Sequence, residues 1–160
     1  SATFGRQLDL TVNGGGNVSA SPVGVSCGAG CEVHGDGVVV TLTATPDAGW
    51  ALLGWAGCAV QANPLQCRVT MDVARAVTID FGRQLDVSVN GSGTVTSNPA
   101  GISCGTDCAE VYDDGQNVTL TAVPDADHAL ASWTGCTPVV GSPEQCTTTM
   151  STARAETELK

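Results

Sequence analysis

One block of sequence occurs twice in this chain. Phe4-Gly5-Arg6-Gln7-Leu8-Asp9 returns as Phe81-Gly82-Arg83-Gln84-Leu85-Asp86. Ser26-Cys27-Gly28 returns as Ser103-Cys104-Gly105, and Thr41-Leu42-Thr43-Ala44 as Thr119-Leu120-Thr121-Ala122. Trp55-Ala56-Gly57-Cys58 matches Trp133-Thr134-Gly135-Cys136, and Ala74-Arg75-Ala76 matches Ala153-Arg154-Ala155. A repeat of this kind limits the fold strongly, because one architecture has to serve both copies. The separation of matched residues is 77 at Phe4 and Phe81, 78 at Thr41 and Thr119, and 79 at Met71 and Met150. Insertions collect in loops, so this drift marks a loop after each Cys-x3-Cys and another inside the second cysteine pair. The chain reads as repeat 1 over residues 1–81 and repeat 2 over 82–160.

Within each copy the hydrophobic period is two. Leu8, Leu10 and Val12 alternate with Gln7, Asp9 and Thr11, and Val77, Ile79 and Phe81 with Ala76, Thr78 and Asp80. This is the pattern of a strand with one buried face. It predicts five or six strands per repeat, at Gln7–Val12, Val18–Ser21, Val38–Thr45, Ala51–Ala56, Arg68–Met71 and Arg75–Phe81, then the same again. Asn13-Gly14-Gly15-Gly16 and Asn90-Gly91-Ser92-Gly93 read as hairpin turns. No amphipathic helix is evident. The expected fold is all-β: two tandem small antiparallel domains, β-grasp-like or sandwich-like.

Eight cysteines also repeat in their spacing: Cys27-x3-Cys31 and Cys58-x8-Cys67, then Cys104-x3-Cys108 and Cys136-x9-Cys146. If each repeat closes on itself, three pairings are open to it. The local one is expected: Cys27–Cys31, Cys58–Cys67, Cys104–Cys108 and Cys136–Cys146. A domain this small has a thin core and commonly needs staples. An unstrained short loop adds roughly 2–3 kcal/mol when closed. Disulfides place the chain in an oxidising compartment. Zinc is the competing use of four cysteines, but the second spacing is long and no His joins at ligand spacing.

The ordered series Val95-Thr96-Ser97-Asn98-Pro99-Ala100-Gly101-Ile102-Ser103-Cys104-Gly105-Thr106-Asp107-Cys108, then Val118-Thr119-Leu120-Thr121-Ala122, Trp133-Thr134-Gly135-Cys136 and Cys146 through Met150, resembles the divergent internalin-type B-repeat. The resemblance covers nearly the whole chain, twice. It implies small β modules strung along bacterial secreted and surface proteins, as spacers, stalks, adhesive modules or appendages to enzymes. It supplies no catalytic motif to carry over.

The residues themselves offer little chemistry. The only two histidines, His34 and His128, sit at different places in the repeat: His34 in the loop after Cys31, with Tyr112 nearby in the second copy, and His128 in line with Trp50. There is no nucleophile elbow and no phosphate loop, so neither an enzyme nor a cofactor is expected. Asp113-Asp114-Gly115 and Asp125-Ala126-Asp127 lack the calcium-loop series and read as solvated turns, so no metal site is expected. Net charge of −10 argues against nucleic acid and anionic membranes. No apolar run reaches membrane-spanning length. Lys160, the only lysine, leaves both repeat bodies without a Lys–Asn isopeptide cross-link.

Trp55 and Trp133 are expected to pack beside their disulfides. Trp50 is either a sugar-stacking platform or a loop-edge aromatic that packs locally. Ser1-Ala2-Thr3-Phe4 matches Thr78-Ile79-Asp80-Phe81, the end of a repeat. It is either the cut edge of a longer array or a strand that completes a neighbouring copy. Phe81-Gly82-Arg83-Gln84-Leu85 holds no Pro-rich or Ser-rich linker, which predicts a stiff, elongated pair. The expected function is a non-catalytic module of a bacterial surface or secreted protein, either a rigid spacer or a filament subunit. Its partners would be neighbouring copies or adjacent repeats. The alternative is an adhesin that binds carbohydrate or a host surface.

Overall fold

Strands in this chain form where β-branched and apolar residues alternate with Thr and Ser. Leu42 in the sequence Val40-Thr41-Leu42-Thr43-Ala44 is the clearest case: Val40, Leu42 and Ala44 are buried while the threonines between them are not. The computed structural model describes residue 2, residues 4–151 and residues 154–155, the last two by backbone only. The chain divides into two compact units, Ser1–Phe81 and Gly82–Lys160. Among the described residues there is no helix.

Unit 1 contains β1 (Arg6–Asn13), β2 (Gly16–Ser21), β3 (Val25–Gly28), β4 (Cys31–His34), β5 (Val39–Pro46), β6 (Ala51–Ala56), β7 (Ala59–Val60), β8 (Gln66–Thr70) and the first part of β9 (Arg75–Asp86). One sheet runs β3-β4-β1-β9, with β6 also on β9, and the other runs β2-β5-β8-β7. Both feed one core: Leu8, Val77, Ile79 and Phe81 from the first, Val40, Leu42, Ala44 and Val69 from the second. A β-grasp would lay a helix across its sheet. Here a second sheet fills that place, and the unit is a sandwich.

Unit 2 begins with the last residues of β9, which β12 (Ala109–Tyr112) and β16 (Arg154–Ala155) flank. Its other sheet runs β11 (Ser103–Cys104), β10 (Gly93–Asn98), β13 (Asn117–Pro124), β15 (Ser142–Thr149) and β14 (Thr137–Val139). Val95, Val118, Leu120 and Met150 are the fully buried centre of its core, with Leu85 beside them.

Most pairings are antiparallel, but the closing strand of each unit is not. β9 lies parallel to β1 from Leu8↔Arg75 to Asn13↔Asp80. β16 lies parallel to β9 at Arg154↔Leu85.

Three strand-level expectations need correction. The Gly-rich segment after Asn13 is not a hairpin turn. β1 is occupied on one edge by β4 and on the other by β9, so β2 crosses to the second sheet and pairs with β5. Gly14, at φ 83°, makes the bend beside the Phe81 carbonyl, where a Cβ would come within 2.4 Å. Next, the region read as loop around Cys27 and Cys31 forms β3 and β4. These strands are four residues long, too short to show a period, and β1 and their own hairpin hold them.

The third correction concerns the second copy of Ala51–Ala56. β6 pairs with β9 in unit 1, whereas residues 129–134 carry no strand. The residues that would match its partner, 156–160, lie outside those described, as does most of the expected last strand.

The two insertions are located. Asp9 faces Cys31 but Asp86 faces Ala109, so the first extra residue directly follows Cys108. The second is taken up where β14 shifts register between Pro138 and Val139.

Candidate functional site

All eight cysteines are paired: Cys27–Cys31, Cys58–Cys67, Cys104–Cys108 and Cys136–Cys146. Each pair closes a turn. Cys27–Cys31 spans the hairpin between β3 and β4, and Cys58–Cys67 ties β7 to β8 beside the pairing Val60↔Cys67. In the second loop of each copy the tryptophan is built in. Trp55 Nε1 donates to the Pro64 carbonyl at 2.9 Å, and Trp133 Nε1 to the Pro143 carbonyl at 3.1 Å. Both rings are half-buried against their cores, next to Cys58 and Cys136.

Beside each second loop lies a shallow cleft that the sequence did not announce. In unit 1 it has a volume of about 560 Å3 and is bordered by Gly57, Cys58, Arg68, Thr70 and Arg75. In unit 2 it has about 400 Å3 and is bordered by Gly135, Cys136, Asn117 and Thr147 to Thr149. The repeated Gly-Cys was the signal available: Gly57 and Gly135 both hold left-handed backbone, at φ 86° and 83°. The chemistry of the two clefts differs. Arg75 is engaged by Asp72 and by the Thr70 carbonyl, and the Arg75 hydrogen bond holds the Asp72 carboxyl below the ordinary range. Arg68 is replaced by Thr147 in the second copy. The two clefts therefore do not present one conserved set of ligand-binding groups.

Trp50 is half-buried and joins the unit 1 core. Its indole lies over Gly15, where a Cβ would meet Nε1 at 2.3 Å. One side of the ring is therefore taken up by the β1–β2 bend. His128, at the matching place in unit 2, is exposed, and its Nδ1 lies 3.0 Å from the Ala126 carbonyl. Of the segment Ser1-Ala2-Thr3-Phe4, Ser1 and Thr3 lie outside the described residues, Ala2 is exposed and Phe4 is 89 % exposed.

His34 is a correction. It is not in a loop: it ends β4, buried, at the position Tyr112 holds in β12. Its Nε2 lies 3.0 Å from Glu32 Oε2, which also accepts the Gly24 N–H at 3.2 Å. In unit 2 the Tyr112 hydroxyl donates to Ser97 Oγ at 2.8 Å, and Ser97 stands where unit 1 has Ala20. Burial raises the phenol's pKa, with Ser97 opposing and the Glu110 charge assisting. These are alternative ways to satisfy one buried polar position, not a reacting pair. Among the described residues no group of three or more His, Cys, Asp or Glu could hold a metal. No helix among them is long and apolar enough to cross a membrane.

Two sandwiches of one design, each with two local disulfides and a built-in tryptophan, define a tandem all-β repeat module. The chain belongs to the divergent InlB B-repeat domain family, whose model matches residues 8–85 and again 83–158. The family is one of bacterial surface repeat modules, typically non-catalytic, and the disulfides fit a secreted or cell-surface protein. Neither the curated proteins nor the solved structures yield a match.

Proposed function

We propose that this chain is a non-catalytic structural module, a stiff spacer within a bacterial surface protein or appendage. The observation that carries this reading is β9. Twelve consecutive residues, Arg75–Asp86, form one strand that closes the first repeat and opens the second. No Pro-rich or Ser-rich linker stands between the two repeats, which supports the reading. Small-angle scattering on the monomer tests it, with one narrow distribution of inter-repeat angles expected. A broad distribution would remove the spacer role.

The glycan-binding alternative depends on Trp50. That ring already covers Gly15, which favours local packing over sugar stacking. Glycan-array binding by the same chain, lost in Trp50→Ala, would reverse the order of the two readings.

A further inference from the structure

One segment takes two courses in the two units. In unit 2, β11 joins the second sheet, where Cys104 faces Val95 and Ser103 faces Thr96 of β10. Ile102 and Cys104 are then core residues, at 3 % and 2 % exposure. Their counterparts in unit 1 are Val25 and Cys27. There the segment folds onto β4 instead, with Val25 facing Val33 and Ser26 facing Glu32. Val25 is 74 % exposed, Val23 is 81 % exposed, and Cys27 is exposed as well. β2, the counterpart of β10, pairs with β5 on one edge and with no strand among the described residues on the other. Beside it lies a cleft of about 240 Å3, bordered by Leu10, Val18, Ser26, Gly28 and Glu32. In unit 2 the counterparts of Leu10 and Val18 are Val87 and Val95, and Cys104 occupies the place next to them. Its Sγ lies 3.6 Å from the Val87 carbonyl oxygen, and its backbone faces Val95. The cleft in unit 1 is therefore the space that Cys104 fills in unit 2.

Each course has its own hydrogen bonds. In unit 2 the Ser97 Oγ accepts from the Ile102 N–H at 2.9 Å and from the Tyr112 hydroxyl at 2.8 Å. The Ser97 N–H donates to the Ile102 carbonyl at 3.1 Å. Unit 1 has Ala20 and His34 at the places of Ser97 and Tyr112, so it lacks both hydroxyls. The Glu32 carboxylate holds the segment there instead. Its Oε2 accepts from the Gly24 N–H at 3.2 Å and lies 3.0 Å from His34 Nε2. Gly24 rests on the imidazole, where a Cβ would come within 2.7 Å of Nε2. The connection is also one residue shorter in unit 1: Cys31 itself faces Asp9, whereas Ala109 faces Asp86. The two courses thus oppose comparable effects. The one in unit 1 keeps the β3–β4 hairpin but leaves two valines in water and one strand edge unpaired.

We propose that residues 23–28 of unit 1 form a strap that closes onto β2. In the closed form Val25 and Cys27 take the places that Ile102 and Cys104 hold in unit 2. Cys27 then fills the cleft beside Leu10 and Val18, and the Ala20 N–H bonds the Val25 carbonyl. Closure breaks the β3–β4 pairs and the pair Asp9↔Cys31, which releases the one residue by which unit 2 is longer. The disulfide stays intact, since Cys27–Cys31 and Cys104–Cys108 have the same separation of 4. Glu32, through Gly24 and His34, keeps the strap open. The open strap leaves the edge of β2 ready to pair with an extended strand, and the closed strap covers it.

Amide hydrogen exchange of the full chain, read by nuclear magnetic resonance, tests the strap. The amide of residue 20 is compared with that of Leu42, which faces it on β5, so that global unfolding cancels. In the unmodified chain residue 20 should exchange much faster than Leu42. Ala20→Ser combined with His34→Tyr supplies the two hydroxyls of unit 2. It should slow residue 20 about tenfold or more relative to Leu42, and nuclear Overhauser contacts between Cys27 and Val18 should appear. Glu32→Ala, which only releases the open form, should shift the same ratio in the same direction and serves alone if the double variant does not fold. An unchanged ratio in either folded variant, or slowing without the contact between Cys27 and Val18, would overturn the proposal.

Discussion

Two copies of one unit offer a comparison inside a single chain, and its clearest result lies in paired differences. Trp50 accompanies Gly15, while His128 accompanies Ser92. The reason is steric: the indole occupies the space a Cβ on Gly15 would need. Gly15→Ala should cost about 1–3 kcal/mol through overpacking, read as a lower denaturation midpoint, whereas Ser92→Gly should change it little. His34 with Ala20 and Tyr112 with Ser97 form a second such set. Tyr112 is the only tyrosine, so the absorbance of its phenolate reports it alone. Its pKa should lie above the ordinary value of about 10, because burial disfavours the charged form. A folded pKa above the unfolded one leaves this contribution to stability complete below the unfolded value. It is then lost as the pH rises through the folded value. A phenol titrating at or below the ordinary value in the folded protein would contradict this account.

At the level of elements, alternation located the long strands well. β5 and β13 could be placed from Val, Leu and Thr alone, since one face of each is buried and the other is not. The short strands were hidden. β3 and β4 have four residues each, and it is the register against β1 that makes strands of them. The Gly-rich bend after β1 looked like a hairpin because local chemistry specifies a tight turn but not which strand the next one will join. That choice fell to β4 and β9, which occupy both edges of β1. β9 is the element whose loss should be felt most. Phe81→Ala should destabilise the first unit by about 3–5 kcal/mol, seen as a selective drop of one of two thermal transitions. A single unshifted transition would show that the Phe81 site is not a core site.

For the molecule as a whole, one strand, β9, takes part in two units. Twin disulfides per unit make up for thin cores. The sequence by itself determined the repeat, the all-β class and the places where residues were inserted, and it left three cysteine pairings open to each repeat, of which the local one forms. Each of these is written in spacing, and spacing survives without coordinates. Only the tertiary structure decided which of the alternating residues meet in a core. It showed that Val77, Ile79 and Phe81 point into a core and that their strand runs parallel to β1. It also turned His34 from a loop residue into a buried one, and placed Trp50 over a glycine. The physical reason is the same in each case. A side chain's period is set by its own neighbours along the chain, but its burial is set by strands that may lie seventy residues away.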